Sequence, residues 1–128
     1  MFSQTAIYAI RALAYLAKQH AGQPAPAKAI SREMEIPLNF LSKIMHRLAR
    51  EGFVHSTRGI NGGFILAKPA ADIKLQDIVS CFMDLRAYDK CFLGLGACDG
   101  RCGMHKNWVP VRDSVRRLLR ETTIDGGR

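Results

Sequence analysis

Apolar residues recur every three or four positions over most of the chain, which is the spacing of helices with one buried face. The first run predicts a helix over residues 4–20, with Ser3 placed to cap its start and Gly22 to end it. The same periodicity predicts further helices at residues 27–34, 38–48, 75–82 and 107–123. In the third helix, the predicted apolar face comprises Leu38, Leu41, Ile44, Met45 and Leu48.

The middle of the chain changes from helical to strand-like patterning. Residues 53–58 and 64–68 are predicted to form two strands, and Asn61-Gly62 lies between them. This dipeptide indicates a hairpin because both residues tolerate positive φ. Short helices joined by a tight turn and followed by a hairpin are typical of a winged helix-turn-helix. The expected fold class is therefore mainly α with a small β-hairpin, with a long helix at the C-terminal end.

Composition adds a strong charge to this picture. The 128 residues (14.2 kDa) have a formal charge of +8 and a pI near 9.7. The 48% hydrophobic content indicates a folded chain and argues against disorder. Residues 1–70 carry a net +6 and residues 71–128 a net +2. A small basic domain usually binds a polyanion, so we expect the first half to meet nucleic acid.

No segment predicts contact with a membrane. The longest apolar stretch, residues 6–17, is interrupted by Arg11 and is too short to span a bilayer. It also lacks a preceding basic region, which argues against a signal peptide. We therefore expect a cytoplasmic protein, in which cysteines serve as metal ligands or thiols rather than disulfides.

The third helix offers side chains suited to double-stranded DNA. A helix in this position fits the major groove, where polar side chains read base edges. The predicted base-reading residues are Asn39, Ser42 and Lys43, the predicted phosphate contacts are Arg47 and Arg50, and Arg58 is expected on the wing, in the minor groove. The alternatives are a solvated helix with ordinary surface charges, or a winged helix that binds a protein partner.

A glycine-rich segment, residues 90–106, holds the candidate metal ligands. Cys91, Cys98, Cys102 and His105 follow the spacing C-x6-C-x3-C-x2-H. No C-x2-C knuckle of a zinc finger is present, and thiolates with a histidine also suit an iron–sulfur cluster. The spacing alone leaves iron–sulfur, structural zinc and free thiols open. Cys81 lies on the fourth predicted helix and is expected to be a core or partly buried thiol.

These patterns divide the chain into three parts. We expect a DNA-binding domain with the fourth helix at residues 1–82, a cysteine-rich loop at 83–106, and a dimerisation helix with its tail at 107–128. The last helix carries an apolar stripe of Trp108, Val111, Val115, Leu118 and Thr122. Such a stripe predicts a homodimer. Residues 123–128 are expected to be a frayed tail. No catalytic constellation is visible, which argues against an enzyme or electron-transfer protein.

A family resemblance is carried by the three cysteines before a long helix and by residues 8–10, 40–48, 52–59, 62–66 and 73–79. These segments resemble one family of bacterial transcription regulators, the Rrf2 family with its IscR-type and NsrR-type branches. It covers nearly the whole chain and implies a homodimeric winged-helix regulator. The regulator would carry a 2Fe–2S or 4Fe–4S cluster that senses redox state, iron–sulfur status or nitric oxide.

The resemblance also implies roles for individual residues. Asn39, Ser42 and Lys43 take the positions that read bases, and Arg58 takes the position of the wing arginine. Where the IscR-type branch has a glutamate, this chain has Ser42, so its operator is expected to differ. The cluster ligands implied are Cys91, Cys98, Cys102 and His105. His105 is favoured as the fourth ligand because residues 1–17 contain no acidic, histidine or cysteine side chain.

Overall fold

The computed structural model describes residues 2–19, 22–93 and 100–126. The predicted fold class is confirmed, since helices dominate and one antiparallel hairpin follows the third helix. The helices are α1 (Gln4–Ala17), α2 (Ala27–Met34), α3 (Leu38–Arg50), α4 (Leu75–Val79) and α5 (His105–Glu121), and the strands are β1 (Val54–Thr57) and β2 (Gly63–Leu66). Short 3-10 turns lie at Ala70–Asp72 and Leu85–Asp89. No helix among the described residues is long and apolar enough to cross a bilayer.

Helix α1 lies at the centre of the core. The Ser3 hydroxyl accepts a hydrogen bond from the Ala6 amide at 3.1 Å, as an N-cap does. The helix ends at Ala17, earlier than predicted, because the amides of Lys18 and Gln19 bond back only three residues and tighten the last turn. Its buried face packs on α2, α3, α4 and β2, so one helix joins both halves of the molecule.

The turn between α2 and α3 fixes the angle at which α3 is presented. Glu35 adopts a left-handed conformation, with φ 54°, and ends α2. The Ser31 hydroxyl donates to the Ile36 carbonyl at 2.5 Å, and Ile36 itself is buried. Pro37 then precedes the first residue of α3, where its missing amide costs no helical hydrogen bond. Because Ile36 is anchored in the core, α3 begins from a fixed point.

The hairpin forms where it was predicted, but its turn differs. Positive φ occurs at Gly59 and Gly63 and not at the Asn61-Gly62 pair that indicated the hairpin. Gly62 is needed for another reason, because a Cβ there would lie 2.4 Å from the Thr57 carbonyl oxygen. Ala25 adds a third, short edge through two 2.9 Å hydrogen bonds with Phe64.

The C-terminal residues are more ordered than the predicted frayed tail. Thr123 and Ile124 are buried. The Leu75 amide donates to the Thr122 carbonyl and the Ile124 amide to the Ile73 carbonyl, each at 2.9 Å. The tail prediction is therefore wrong for residues 123 and 124, because backbone pairing fastens the end of α5 to the start of α4.

The apolar residues predicted to form one stripe on α5 point in two directions, some toward the core of the same chain and some outward. The core has two clusters of buried residues, a larger one around α1 and α3 and a smaller second one that includes Val79 and Tyr88. Trp108 and Val115 pack with buried Leu119 in the second cluster. The other two apolar residues of the stripe, Val111 and Leu118, face outward and are each 46% exposed, as is Met104 just before the helix. The stripe is thus not a single exposed face, since part of it attaches α5 to its own chain.

Candidate nucleic-acid interface and cysteine loop

The outward face of α3 carries most of the predicted DNA contacts. Asn39, Lys43 and Arg50 lie on the side opposite the buried residues Leu41, Ile44, Met45 and Leu48, and all three are exposed. Within the described residues, neither Lys43 nor Arg50 forms an ion pair with a carboxylate. These two cations therefore remain available to phosphates.

Two other predicted contacts on α3 are already engaged within the chain. The Ser42 hydroxyl donates to the Leu38 carbonyl at 3.0 Å, so its proton is used by the helix backbone. Nε of Arg47 lies 3.0 Å from Oε1 of Glu51, one helical turn away. Such surface pairs contribute little stability, and Arg47 can exchange its partner for a phosphate.

The wing places Arg58 at the start of the loop that joins β1 to β2. Thr57 braces the base of this loop, because its hydroxyl donates to the Gly63 carbonyl at 3.3 Å and accepts from the Gly63 amide at 3.2 Å. Arg58 is exposed and forms no ion pair in the part of the chain that the structure describes. Ile60 at the tip is fully exposed.

Sequence periodicity missed the exposed apolar residues of this surface. Leu38 was assigned to the buried face of α3, but its side chain is 42% exposed, and Phe40 is 52% exposed. Leu38 starts the helix, where no preceding turn covers it. Periodicity gives no warning of the exposure of Phe40, because Phe40 lies four residues before Ile44 and eight before Leu48 and so shares their helical spacing.

The cysteine loop brings two of its four candidate ligands to the start of α5. Cys91 and Cys102 are half-buried, whereas Cys98 lies outside the described residues. The His105 amide donates to the Cys102 carbonyl at 3.2 Å, which closes a turn on the first residue of α5. An ideal Cβ on Gly100 would lie 3.8 Å from Nε2 of His105, so the imidazole edge faces the loop.

Thiols and an imidazole are suitable ligands for a metal ion, but the described residues alone do not bring three such ligands together. Among the described residues, no group of three or more histidine, cysteine or acidic side chains is placed to hold a metal ion. Cations flank the donors at Lys90, Arg101 and Lys106. Positive neighbours would offset the negative charge of several thiolates at one site. The described donors therefore suit a thiolate-ligated metal by their chemistry and by the charges around them.

Cys81 differs from the loop cysteines, in agreement with the prediction of a partly buried thiol. It lies just beyond the end of α4, packs against the core, and donates from Sγ to the Asp77 carbonyl at 3.3 Å. Burial, followed by the nearby charge of Glu51, raises the pKa of the Cys81 thiol above its usual value. A protonated, hydrogen-bonded thiol is a poor metal ligand.

Phe92 connects the cysteine loop to α5. Its ring centroid lies 5.6 Å from that of Trp108, at an interplanar angle of 52°. Phe92, Met104, Trp108 and Val111 line a shallow cavity of about 250 Å³ together with Asn107. Phe92, which follows Cys91, and Met104, which lies two residues after Cys102, therefore border the same apolar patch on α5.

The exposed helix with unpaired cations and the arginine-bearing hairpin together define a winged helix-turn-helix DNA-binding protein. A family model described as Rrf2, "Iron-dependent Transcriptional regulator", matches residues 2–126. The chain therefore belongs to the Rrf2 family, and it is a transcription regulator, not an enzyme.

Relatives and solved structures agree with this assignment. A proposed HTH-type transcriptional regulator of Aquifex aeolicus is 36% identical, covering 97% of this chain and 88% of its own. The regulator IscR of Escherichia coli is 30% identical over 91% of this chain and 73% of its own. The structure of T. potens IscR has a TM-score of 0.73 and 25% identity, covering 98% of this chain and 84% of its own. The oxidized form of Staphylococcus aureus CymR has a TM-score of 0.76 and 25% identity, covering 98% and 93%.

Proposed function

We propose that the protein is a homodimeric, cytoplasmic regulator that binds a double-stranded operator and whose DNA affinity depends on an iron–sulfur cluster. The proposed ligands are Cys91, Cys98, Cys102 and His105. The observation that carries the proposal is the turn between Cys102 and His105, which joins the last two ligands directly to α5. Since His105 is the first residue of α5, the proposed site directly adjoins this helix.

The proposed DNA contacts divide by chemistry. Asn39 and Lys43 read base edges, and the Ser42 hydroxyl can still accept a hydrogen bond from a base. Arg47 and Arg50 bind phosphates. Arg58 enters the minor groove. This assignment is supported by the exposure of these side chains and by the firmly anchored start of α3. Base contacts specify sequence, whereas phosphate contacts set affinity and salt dependence.

The proposed dimer uses the outward apolar residues at α5. Met104, Val111 and Leu118 are spaced by seven residues and are equally exposed, at 46% each. A seven-residue repeat aligns side chains along one side of a helix and suits packing against a second helix. Trp108 Nε1 is buried without a hydrogen-bond partner among the described residues, which supports completion of this region by further atoms.

The chain can transmit a change at the loop to the DNA-binding surface through α5. Arg116 of α5 pairs with Asp89, and backbone hydrogen bonds fasten residues 122–124 to the start of α4. A bound iron–sulfur cluster would supply a centre sensitive to redox state or nitric oxide. The residues of the loop adjoin the first turn of α5, so releasing them shifts α5 and α4 and, through α1, which packs on both α4 and α3, the recognition helix relative to the partner subunit.

Oxygen-free purification tests the proposal. We expect a coloured protein with absorption bands between about 300 and 450 nm and with both iron and acid-labile sulfide. Its affinity for a selected DNA duplex at fixed salt should change when iron is removed with a chelator. Equal affinity of the loaded and metal-free forms would contradict cluster control. Failure to shift any duplex would instead favour a winged helix that binds a protein partner.

A second candidate keeps DNA binding but replaces the cluster with a thiol switch or structural zinc. It is favoured by the similarity to the oxidized form of S. aureus CymR. Metal analysis separates the cases. One zinc per chain without sulfide would support structural zinc, and a metal-free protein whose DNA affinity changes on mild oxidation would support the thiol switch.

A further inference from the structure

Phe40 is exposed on the DNA-facing surface without an explanation in the fold. It lies in the first turn of α3, beside Asn39 and one turn before Lys43. Its side chain is 52% exposed and belongs to neither core cluster. Exposing a phenylalanine to water is unfavourable compared with burying it. An external apolar group would therefore stabilise this ring.

The surroundings of Phe40 indicate what that group belongs to. The cations Lys43, Arg47 and Arg50 share the outward side of α3, and Arg58 lies on the wing. Lysine is depleted from protein–protein interfaces, whereas lysines and arginines clustered along one helix face are typical of DNA-binding surfaces. In the major groove, the apolar group that distinguishes bases is the C5-methyl of thymine.

We propose that Phe40 contacts a thymine C5-methyl group in each half-site and thereby selects thymine at one operator position. The assignment rests on the proposed DNA-binding role of α3. The first residues of a recognition helix usually reach base edges, and Phe40 is the third residue of α3. It supplies an apolar contact next to the polar contacts proposed for Asn39 and Lys43.

Leu38 provides a matched control on the same turn. It is also apolar and is 42% exposed. Two positions along a helix correspond to a rotation of about 200°, so Leu38 and Phe40 project to opposite flanks of α3. If Phe40 contacts a base, removing Leu38 should leave that contact in place.

The experiment uses the full-length dimer and a duplex that the wild-type protein selects from a random library. Each thymine of this duplex is replaced in turn by deoxyuridine, which differs only by lacking the C5-methyl. Wild-type protein should lose roughly fourfold in affinity at one thymine in each half-site, the effect of one buried methyl group. Phe40→Ala should bind the thymine and uracil duplexes equally, whereas Leu38→Ala and Phe40→Leu should keep the difference.

The outcomes distinguish this assignment from the DNA-binding role on which it rests. A Phe40→Ala protein that keeps the full uracil penalty would overturn the methyl contact, as would a wild-type protein that is insensitive to every deoxyuridine. Both results leave DNA binding intact. If no duplex is enriched over random DNA, the DNA-binding role itself fails and the Phe40 assignment fails with it. Circular dichroism verifies that each variant remains folded.

Discussion

The two halves of the molecule expose apolar side chains in different electrostatic settings. In the N-terminal half, Leu38, Phe40 and Ile60 lie near cations of α3 and the wing. In the C-terminal half, Phe92 and Met104 border one cavity with Trp108 on α5. The first surface suits a polyanion with an apolar group, and the second suits another apolar surface. Exposure alone therefore does not identify a partner, but the neighbouring charges do.

The two halves also differ in how far contacts within the chain complete their functional surfaces. Around α3, turns and core contacts fix the backbone, so the fold does not depend on further contacts from the exposed side chains. In the C-terminal half, candidate ligands converge on the start of α5 without forming a group of three among the described residues. We therefore expect substitutions in the C-terminal half to change DNA affinity indirectly, through metal binding or dimer formation. Substitutions on the exposed face of α3 should change DNA affinity directly.

The sharpest test of this difference removes a candidate ligand. Cys91→Ala and Cys102→Ala should each abolish iron binding and the iron-dependent change in DNA affinity while leaving the helical fold intact. Cys81→Ala is the control, because the Cys81 thiol is half-buried, hydrogen-bonded and of raised pKa. It should retain iron and lose only modest stability. Metal analysis and absorption spectra check all three, and a colourless Cys81→Ala protein would make Cys81 a ligand.

Disrupting the proposed dimer seam should have the next largest effect. Leu118→Glu places a charge on the outward apolar line of α5, and burying that charge in an interface is costly. Sedimentation should show wild-type protein at twice 14.2 kDa and the variant shifted toward monomer, with operator affinity reduced roughly 100-fold or more. Arg117→Glu is the control, since it changes an adjacent exposed residue on another side of α5. A fully dimeric Leu118→Glu protein would contradict the seam.

The sequence predicts the N-terminal half better than the C-terminal half for a physical reason. Most of α3 follows from local periodicity, because its buried face packs within the same chain. The departures in this half concern the ends of elements. Helix α1 ends earlier than predicted, Leu38 at the start of α3 is exposed, and the hairpin loop has its positive φ angles at Gly59 and Gly63. Which residues of the α5 stripe are buried depends on contacts between distant parts of the chain, such as that of Leu119 with Val79. Local periodicity does not predict such contacts. Cysteine spacing likewise leaves the metal open.

The fourth ligand should affect stability of the metal site more than its formation. His105→Ala removes a neutral donor, whereas the three thiolates remain, so iron should bind but be lost at least about tenfold faster to a chelator. His105→Cys should retain the site with a lower reduction potential, because a thiolate adds negative charge. An unchanged spectrum, potential and rate of iron loss in His105→Ala would exclude His105 as the ligand.

On the DNA-facing side, Arg58 and Arg50 should separate specific from general affinity. Arg58→Ala should weaken binding to the selected duplex roughly tenfold, with a smaller effect on random DNA, if the wing recognises a narrow minor groove. Arg50→Ala should weaken both DNAs alike and reduce the slope of log affinity against log salt by about 1. Titrations at several salt concentrations measure both. Identical behaviour of the two variants on both DNAs would remove the distinction between wing and phosphate contact.

The smallest expected effect lies where the two halves communicate. Phe92 follows Cys91 and contacts the Trp108 ring, so Phe92→Ala should weaken the link between the loop and α5 without removing a ligand. An aromatic pair contributes about 0.5–1.5 kcal/mol beyond its buried area. The ratio of DNA affinities between the iron-loaded and metal-free forms should therefore fall roughly two- to tenfold, while iron content stays unchanged.

Leu93→Ala is the matched control for this link. Leu93 is the next residue and is similarly exposed, at 52% against 57% for Phe92, but it does not line the cavity beside Trp108. It should leave the affinity ratio at the wild-type value. If both variants reduce the ratio equally, the loop acts on α5 through its backbone and not through the aromatic contact. If neither does, the Phe92–Trp108 contact does not carry the signal, and the backbone turn between Cys102 and His105 becomes the next connection to test.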